Sequence, residues 1–358
     1  MKYRLSELLA AKSITSAGTE VLDINVREPI SRLTVIVRLT NSSWTPTGHP
    51  AKSIVNVQLV DGADVIHSMR GIYTQSLAYY GSGKLPFNYI NYTDNGLAVA
   101  AAPIYFGRFL WDRQLALMPD RFNNLQLKVQ HNYALGGAVP DAATLEVWAD
   151  LFDEDPPTPE GLLTASSLWS KTLVASTIDY IELPTDRPIR MVMPCVSSDS
   201  EEPDINIDAV KLTEDHDRKV ILEAGVLELL QMYETNWPEF TEYGEGRTLA
   251  NNDITFYLTP AKDINLAAFA TEDSDAIIHY PWSGGQARII DGSLTATINL
   301  LIKGRCPHGA IPIPMGVMNE IDSWWDVTKL GSARAKLTTG AGDTSALYEL
   351  IIQQLRRY

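Results

Sequence analysis

Hydrophobic positions along most of this chain recur every second residue. The runs Arg32-Leu33-Thr34-Val35-Ile36-Val37-Arg38-Leu39 and Leu125-Gln126-Leu127-Lys128-Val129-Gln130 alternate, or nearly so, and are rich in apolar and β-branched side chains. A period of two puts alternate residues on opposite faces of a pleated strand, so these runs predict strands. Asp61-Gly62, Gly136-Gly137, Gly284-Gly285 and Asp291-Gly292 mark turns between such runs, and most of the 20 prolines fall in connections. Helical spacing is confined to a few places. It predicts helices over 71–80 and 225–233, and Leu5, Leu8 and Leu9 predict a short amphipathic helix over 3–11. No strand-helix-strand rhythm recurs, which disfavours a parallel α/β enzyme fold and leaves an all-β sandwich or barrel.

Compared with itself, the chain repeats three features in order. Leu22-Asp23-Ile24, the corner Arg27-Glu28-Pro29-Ile30 and the following strand match Ile181-Glu182-Leu183, Asp186-Arg187-Pro188-Ile189 and the strand after it. A hairpin from Ile54 through Val65-Ile66, then a helix ending at Tyr79-Tyr80, matches a hairpin from Ile205 through Val220-Ile221-Leu222 and a helix ending at Met232-Tyr233. Leu125 to Val129, a Gly-rich loop and Thr144 to Trp148 match Ala333 to Leu337, a Gly-rich loop and Leu347 to Ile351. Three ordered matches imply duplication, with the acidic, Pro-rich stretch Asp153-Glu154-Asp155-Pro156-Pro157-Thr158-Pro159-Glu160 as the linker. The expected domains are 1–155 and 156–358. The second copy is longer by about 50 residues between its helix and its closing hairpin, so it carries an insertion within about 235–325, expected to project as a tower.

Composition narrows the function classes. At 358 residues, two cores are the expectation. A net charge of −15 argues against a surface that wraps nucleic acid, since such binding rests on Lys and Arg neutralising phosphates. The opening residues lack the long apolar segment of a signal peptide, and no stretch reaches the roughly 18 apolar residues of a membrane span, so a cytoplasm-like compartment is expected. Cys195 and Cys306 form no CxxC pattern and read as buried thiols.

The search for chemistry finds no complete motif. The acidic clusters Asp150 to Asp155 and Asp199 to Asp204 lack EF-hand spacing, and none of His49, His67, His131, His216, His279 and His308 forms an HxH or HxxxH pair. Gly81-Ser82-Gly83-Lys84 lacks the upstream glycine of a phosphate loop and reads as a turn. No catalytic, cofactor-binding or metal-ligating residue is assigned.

The tandem β domains, the hairpin capped by a helix, and the closing hairpins resemble the double jelly-roll major capsid proteins of tailless icosahedral viruses, the lineage of adenovirus hexon and membrane-containing phages. The segments most alike are 122–131, 144–151 and 346–355. The resemblance implies two tandem eight-stranded antiparallel jelly rolls with short helices and loop insertions, and a structural subunit of the virion made in the host cytoplasm. It further implies a homotrimeric, pseudo-hexameric capsomer that meets neighbouring capsomers and penton or minor capsid proteins, tower loops facing outward, and an N-terminal helix facing inward, toward a membrane where the particle encloses one. Trp324-Trp325 and residues 106–111 are candidate interface anchors, with core packing as the competing reading. The alternative class is a carbohydrate-active β-sandwich, lectin or glycoside hydrolase, whose best site would be Trp282, Trp324 and Trp325 with Asp322 and Asp326.

Overall fold

The computed structural model describes residues 2–248, 253–270, 277–281, 284–291 and 295–358. The first half contains β1 (Tyr3–Ile14), β2 (Gly18–Asp23), β3 (Ile30–Asn41), β4 (Ile54–Asp61), β5 (Asp64–Met69), α1 (Gly71–Ser82), β6 (Asn88–Tyr92), β7 (Leu97–Tyr105), β8 (Leu125–His131) and β9 (Pro140–Phe152). After residues 153–160 come β10 (Gly161–Thr172), β11 (Ile178–Leu183), β12 (Ile189–Val196), α2 (Pro203–Asn206), β13 (Ile207–Glu214), β14 (Lys219–Gly225) and α3 (Val226–Tyr233). Then follow β15 (Phe240–Arg247), β16 (Asp253–Tyr257), β17 (Lys262–Ala270), β18 (Ile277–Pro281), β19 (Gln286–Asp291), β20 (Thr297–Arg305), β21 (Ile313–Pro314), β22 (Ala333–Thr339) and β23 (Leu347–Arg357).

Alternation along each strand explains the layers. In β3, Leu33, Val35, Val37 and Leu39 are fully buried, while the residues between them lie half-buried on the other face. Strand order within the first roll is β1-β9-β3-β7 in one sheet and β2-β8-β4-β5 in the other; the second roll repeats it as β10-β23-β12-β21 and β11-β22-β13-β14. This is the jelly-roll order twice over, and the segments matched in the sequence occupy equivalent strands. Even the irregularities repeat. A bulge follows Ile30 where β3 meets β9, and another follows Ile189 where β12 meets β23.

The N-terminal segment corrects the sequence reading. Residues 3–14 form strand β1, antiparallel to β9 from Tyr3 opposite Phe152 to Ile14 opposite Ala143, and not a helix. Register shifts between Glu7 and Leu9 and between Leu9 and Lys12 break the alternation, which is why Leu5, Leu8 and Leu9 imitate helical spacing. Pairing along β9 and packing of Tyr3 on Trp111 and Phe152 decide the outcome, since tertiary contacts outweigh a weak local preference. The inward-facing helix expected to reach a membrane therefore does not form. Among the described residues, no helix is long and apolar enough to cross one.

The insertion is built of strands. Phe256 and Tyr257 lie in β16, Ile277 to Tyr280 in β18 and Thr297 to Leu301 in β20; Ala276 and Gly292 lie outside the described residues. Strands β16, β19 and β18 form a small antiparallel sheet. Strands β15, β20 and β17 continue the first roll's sheet, because β15 pairs in parallel with β6, Tyr243 opposite Tyr89. Though continuous in the chain with the second roll, the insertion shares a core with the first: Phe240, Phe256, Ile298 and Ile302 join the cluster that holds Leu33, Leu59 and Val147. A second cluster, with Val210, Leu337 and Leu350, fills the second roll.

Candidate assembly site

The two rolls meet along a junction whose centre is α1. Its sequence, Gly71-Ile72-Tyr73-Thr74-Gln75-Ser76-Leu77-Ala78-Tyr79-Tyr80, carries no charge, as suits a helix buried all round, and nine of its twelve residues are buried. Gly71 permits close approach to β4, where a Cβ would meet the Ile54 side chain at 2.5 Å. From the helix, Tyr73 Oη accepts the Ser197 N–H at 3.1 Å, Ser76 Oγ donates to Pro307 O at 2.9 Å, and Tyr80 Oη donates to Ala310 O at 2.5 Å. All three partners belong to the second half of the chain. Gly83, left-handed at φ 73°, ends the helix with its N–H on Tyr79 O, so Gly81 to Lys84 is a helix stop.

Below α1 the sheets fuse. Strand β5 pairs in parallel with β10, His67 opposite Ala165 and Ser68 opposite Ser166, which joins a sheet of each roll into one of eight strands. Burial drives the His67 imidazole pKa down to about 3, so this ring is neutral at ordinary pH. Across the same seam Arg70 faces the Glu349 carboxylate at 3.7 Å and Arg356 meets Asp64 at 2.6 Å. Burial raises the Glu349 pKa despite hydrogen bonding by Ser167 and the charge of Arg70. Arg190, 2% exposed, donates to Met318 O at 3.0 Å and to Gln353 Oε1 at 2.6 Å. Burial, with Arg108 nearby, lowers its pKa to about 10.

A buried polar cluster ties the insertion to the first roll. His49 Nδ1 accepts the Ala51 N–H, which leaves Nε2 as the donor toward Glu242 Oε1 at 3.0 Å and Thr259 Oγ1 at 3.1 Å. The His308 ring stands edge-on to His49 at 5.5 Å and binds Gln75 Oε1 at 2.8 Å. Burial, helped by His49, Lys52 and Arg70, holds the His308 pKa well below the usual value.

Most carboxylates of the two acidic clusters are ion-paired. Asp150 pairs with Arg32 at 2.7 Å; Asp153 and Asp155 face Arg4 and Arg113. Asp199 is bound by Lys52, and Glu202 and Asp204 are bound by Lys262 at 2.5 and 3.0 Å. Burial opposes the charge on Lys262, but those hydrogen bonds raise its pKa. Among the described residues no group of His, Cys, Asp and Glu is arranged to hold a metal ion. Cys195 and Cys306 are buried free thiols, and burial pushes Cys306 up to about 12.

Among the described residues, the sugar platform does not assemble. Trp324 and Trp325 are 4% and 9% exposed, with their indole N–H groups on Val317 O and Glu214 Oε1, while Asp326 caps Thr328 and pairs with Lys329. Trp282 lies outside the described residues. Of the other proposed anchors, Phe106 is core, Trp111 packs on Tyr3 and Phe152, and Phe109 alone is a large exposed apolar group, at 49%. Sequence reasoning missed the residues of the junction; the uncharged run of α1 was the available signal.

No family model and no curated protein matches the chain. Solved structures do. The major capsid protein of STIV superposes with a TM-score of 0.59 at 12% identity, covering 99% of this chain and 96% of its own. The major capsid protein P2 of bacteriophage PM2 gives 0.57 at 9% identity, covering 99% and 98%. VP54 of PBCV-1 gives 0.57 at 10% identity, covering 99% and 93%. Over almost its whole length, the chain has the double jelly-roll fold of these major capsid proteins.

Proposed function

We propose that this protein is a major capsid protein, a structural subunit without enzymatic activity that trimerises into pseudo-hexameric capsomers of an icosahedral virion. The observation that carries the reading is the duplication itself: two rolls of identical strand order joined side by side, so three chains supply six similar sides. Full-length likeness to three capsid proteins supports it, as does the burial of Trp324 and Trp325, which a sugar site would expose. Neighbouring capsomers and penton or minor capsid proteins are the expected partners, with the insertion as the outward tower. The charge of −15 keeps free capsomers apart and disfavours direct genome binding. The domain division at 155/156 falls between β9 and β10, consistent with one roll per domain.

Negative-stain electron microscopy of the purified protein tests this reading. Class averages should show hexagonal outlines with threefold symmetry. Irregular single-chain particles at micromolar concentration, together with binding on a glycan array, would replace the capsid reading with the carbohydrate one.

A further inference from the structure

The junction within the chain is half of a repeating contact, and two sheet-edge strands leave the other half open. Strand β5 is joined to β10, the first strand of the next roll. The strands equivalent to these two in the opposite rolls are β14 and β1, and each stands at the end of its sheet.

Burial differs as an unfilled contact requires. Ala165 in β10 is 5% exposed and His67 in β5 is 3% exposed, whereas Leu5 in β1 is 61% exposed and β14 has no buried residue. Helix α1 buries nine of twelve residues, but its counterpart α3 buries only Val226 and Leu229 and leaves Leu227 and Met232 at 42% and 56%.

The register follows from the strand pairings. Leu5 lies opposite Asp150, which lies opposite Arg32 just beyond the bulge after Ile30; Ala165 lies opposite Gln353, which lies opposite Met191 just beyond the bulge after Ile189. Leu5 and Ser6 are therefore the equivalents of Ala165 and Ser166. His67 lies opposite Leu59 and four residues before α1 starts; Leu222 lies opposite Leu212 and four residues before α3 starts. Leu222 and Glu223 are thus the equivalents of His67 and Ser68.

We propose that β14 of each copy pairs in parallel with β1 of the next copy, Leu222 opposite Leu5 and Glu223 opposite Ser6, with α3 covered by the neighbour as α1 is covered within the chain. This rests on the capsomer reading, because a head-to-tail contact closes only in a ring. The free edge of β1, whose other edge is paired with β9, is thereby covered by a second copy of the same chain.

The test is disulfide trapping in the full chain. Adjacent strands lie about 5 Å apart, within reach of a disulfide, and both native thiols are buried. The double variant Leu5→Cys with Leu222→Cys should give a covalent trimer on a non-reducing denaturing gel, reverting to monomer with reductant. Ser6→Cys with Glu223→Cys should behave alike, which guards against one pair disturbing the fold. Single variants, and Leu5→Cys with Val220→Cys, should remain monomeric on the gel. Trimers of native mass in which neither matched pair links would overturn the strand register and leave the capsomer reading standing. A wild-type chain that stays monomeric would overturn both.

Discussion

Replacing Tyr73 by alanine should lower the stability of the whole chain by about 3–5 kcal/mol, the cost of emptying a large buried aromatic site. Tyr73 is completely buried on α1, and its hydroxyl accepts the Ser197 N–H beyond the end of β12. The alanine variant therefore removes core volume from the first roll and a fastening to the second. Tyr73→Phe keeps the ring and leaves only that N–H without its acceptor, so it should cost about 1 kcal/mol. Chemical denaturation followed by tryptophan fluorescence checks both. If Tyr73→Ala is as stable as Tyr73→Phe, α1 is not the wedge that joins the rolls.

The second large effect is a pH dependence centred on His67. Its pKa is about 3 in the folded protein, against roughly 6.5 for an unconstrained imidazole. Above pH 6.5 the ring is neutral in both states and contributes no slope. Below that, the unfolded chain binds a proton that the folded protein refuses, so stability falls as pH falls, by about 1.4 kcal/mol per unit until the folded pKa is reached. Replacement by leucine removes the titration. Between pH 7 and pH 4, wild type should lose about 3 kcal/mol more stability than His67→Leu. Glu349, whose pKa burial raises, acts in the opposite sense in both proteins and cancels in the difference. Parallel pH profiles would show that His67 is hydrated, and that β5 and β10 do not seal the seam.

The sequence made the strands, the duplication and both hairpin-helix units legible, because period-two patterning and Pro-marked corners are local signals. The β3 segment from Arg32 to Leu39 and its partner after Ile189 were found by comparing the chain with itself, and their shared bulge shows how far the duplication extends into geometry. The opening segment imitates a helix because two register shifts interrupt the alternation of β1. Docking of the insertion on the first roll had no local sign. It depends on β6 meeting β15 and on His49 meeting Glu242, 193 residues apart, and pairings so distant in the chain leave no local pattern. The junction was missed for the same reason. Arg190 and Gln353 look like ordinary strand residues until two distant segments are brought together.

If this chain is one third of a closed capsomer, its mass in solution reports that state directly. Light scattering of the purified protein at moderate salt should give about three times the 39.6 kDa chain, or a larger assembly built from that unit. A stable monomer of 39.6 kDa at micromolar concentration would rule out the trimeric capsomer.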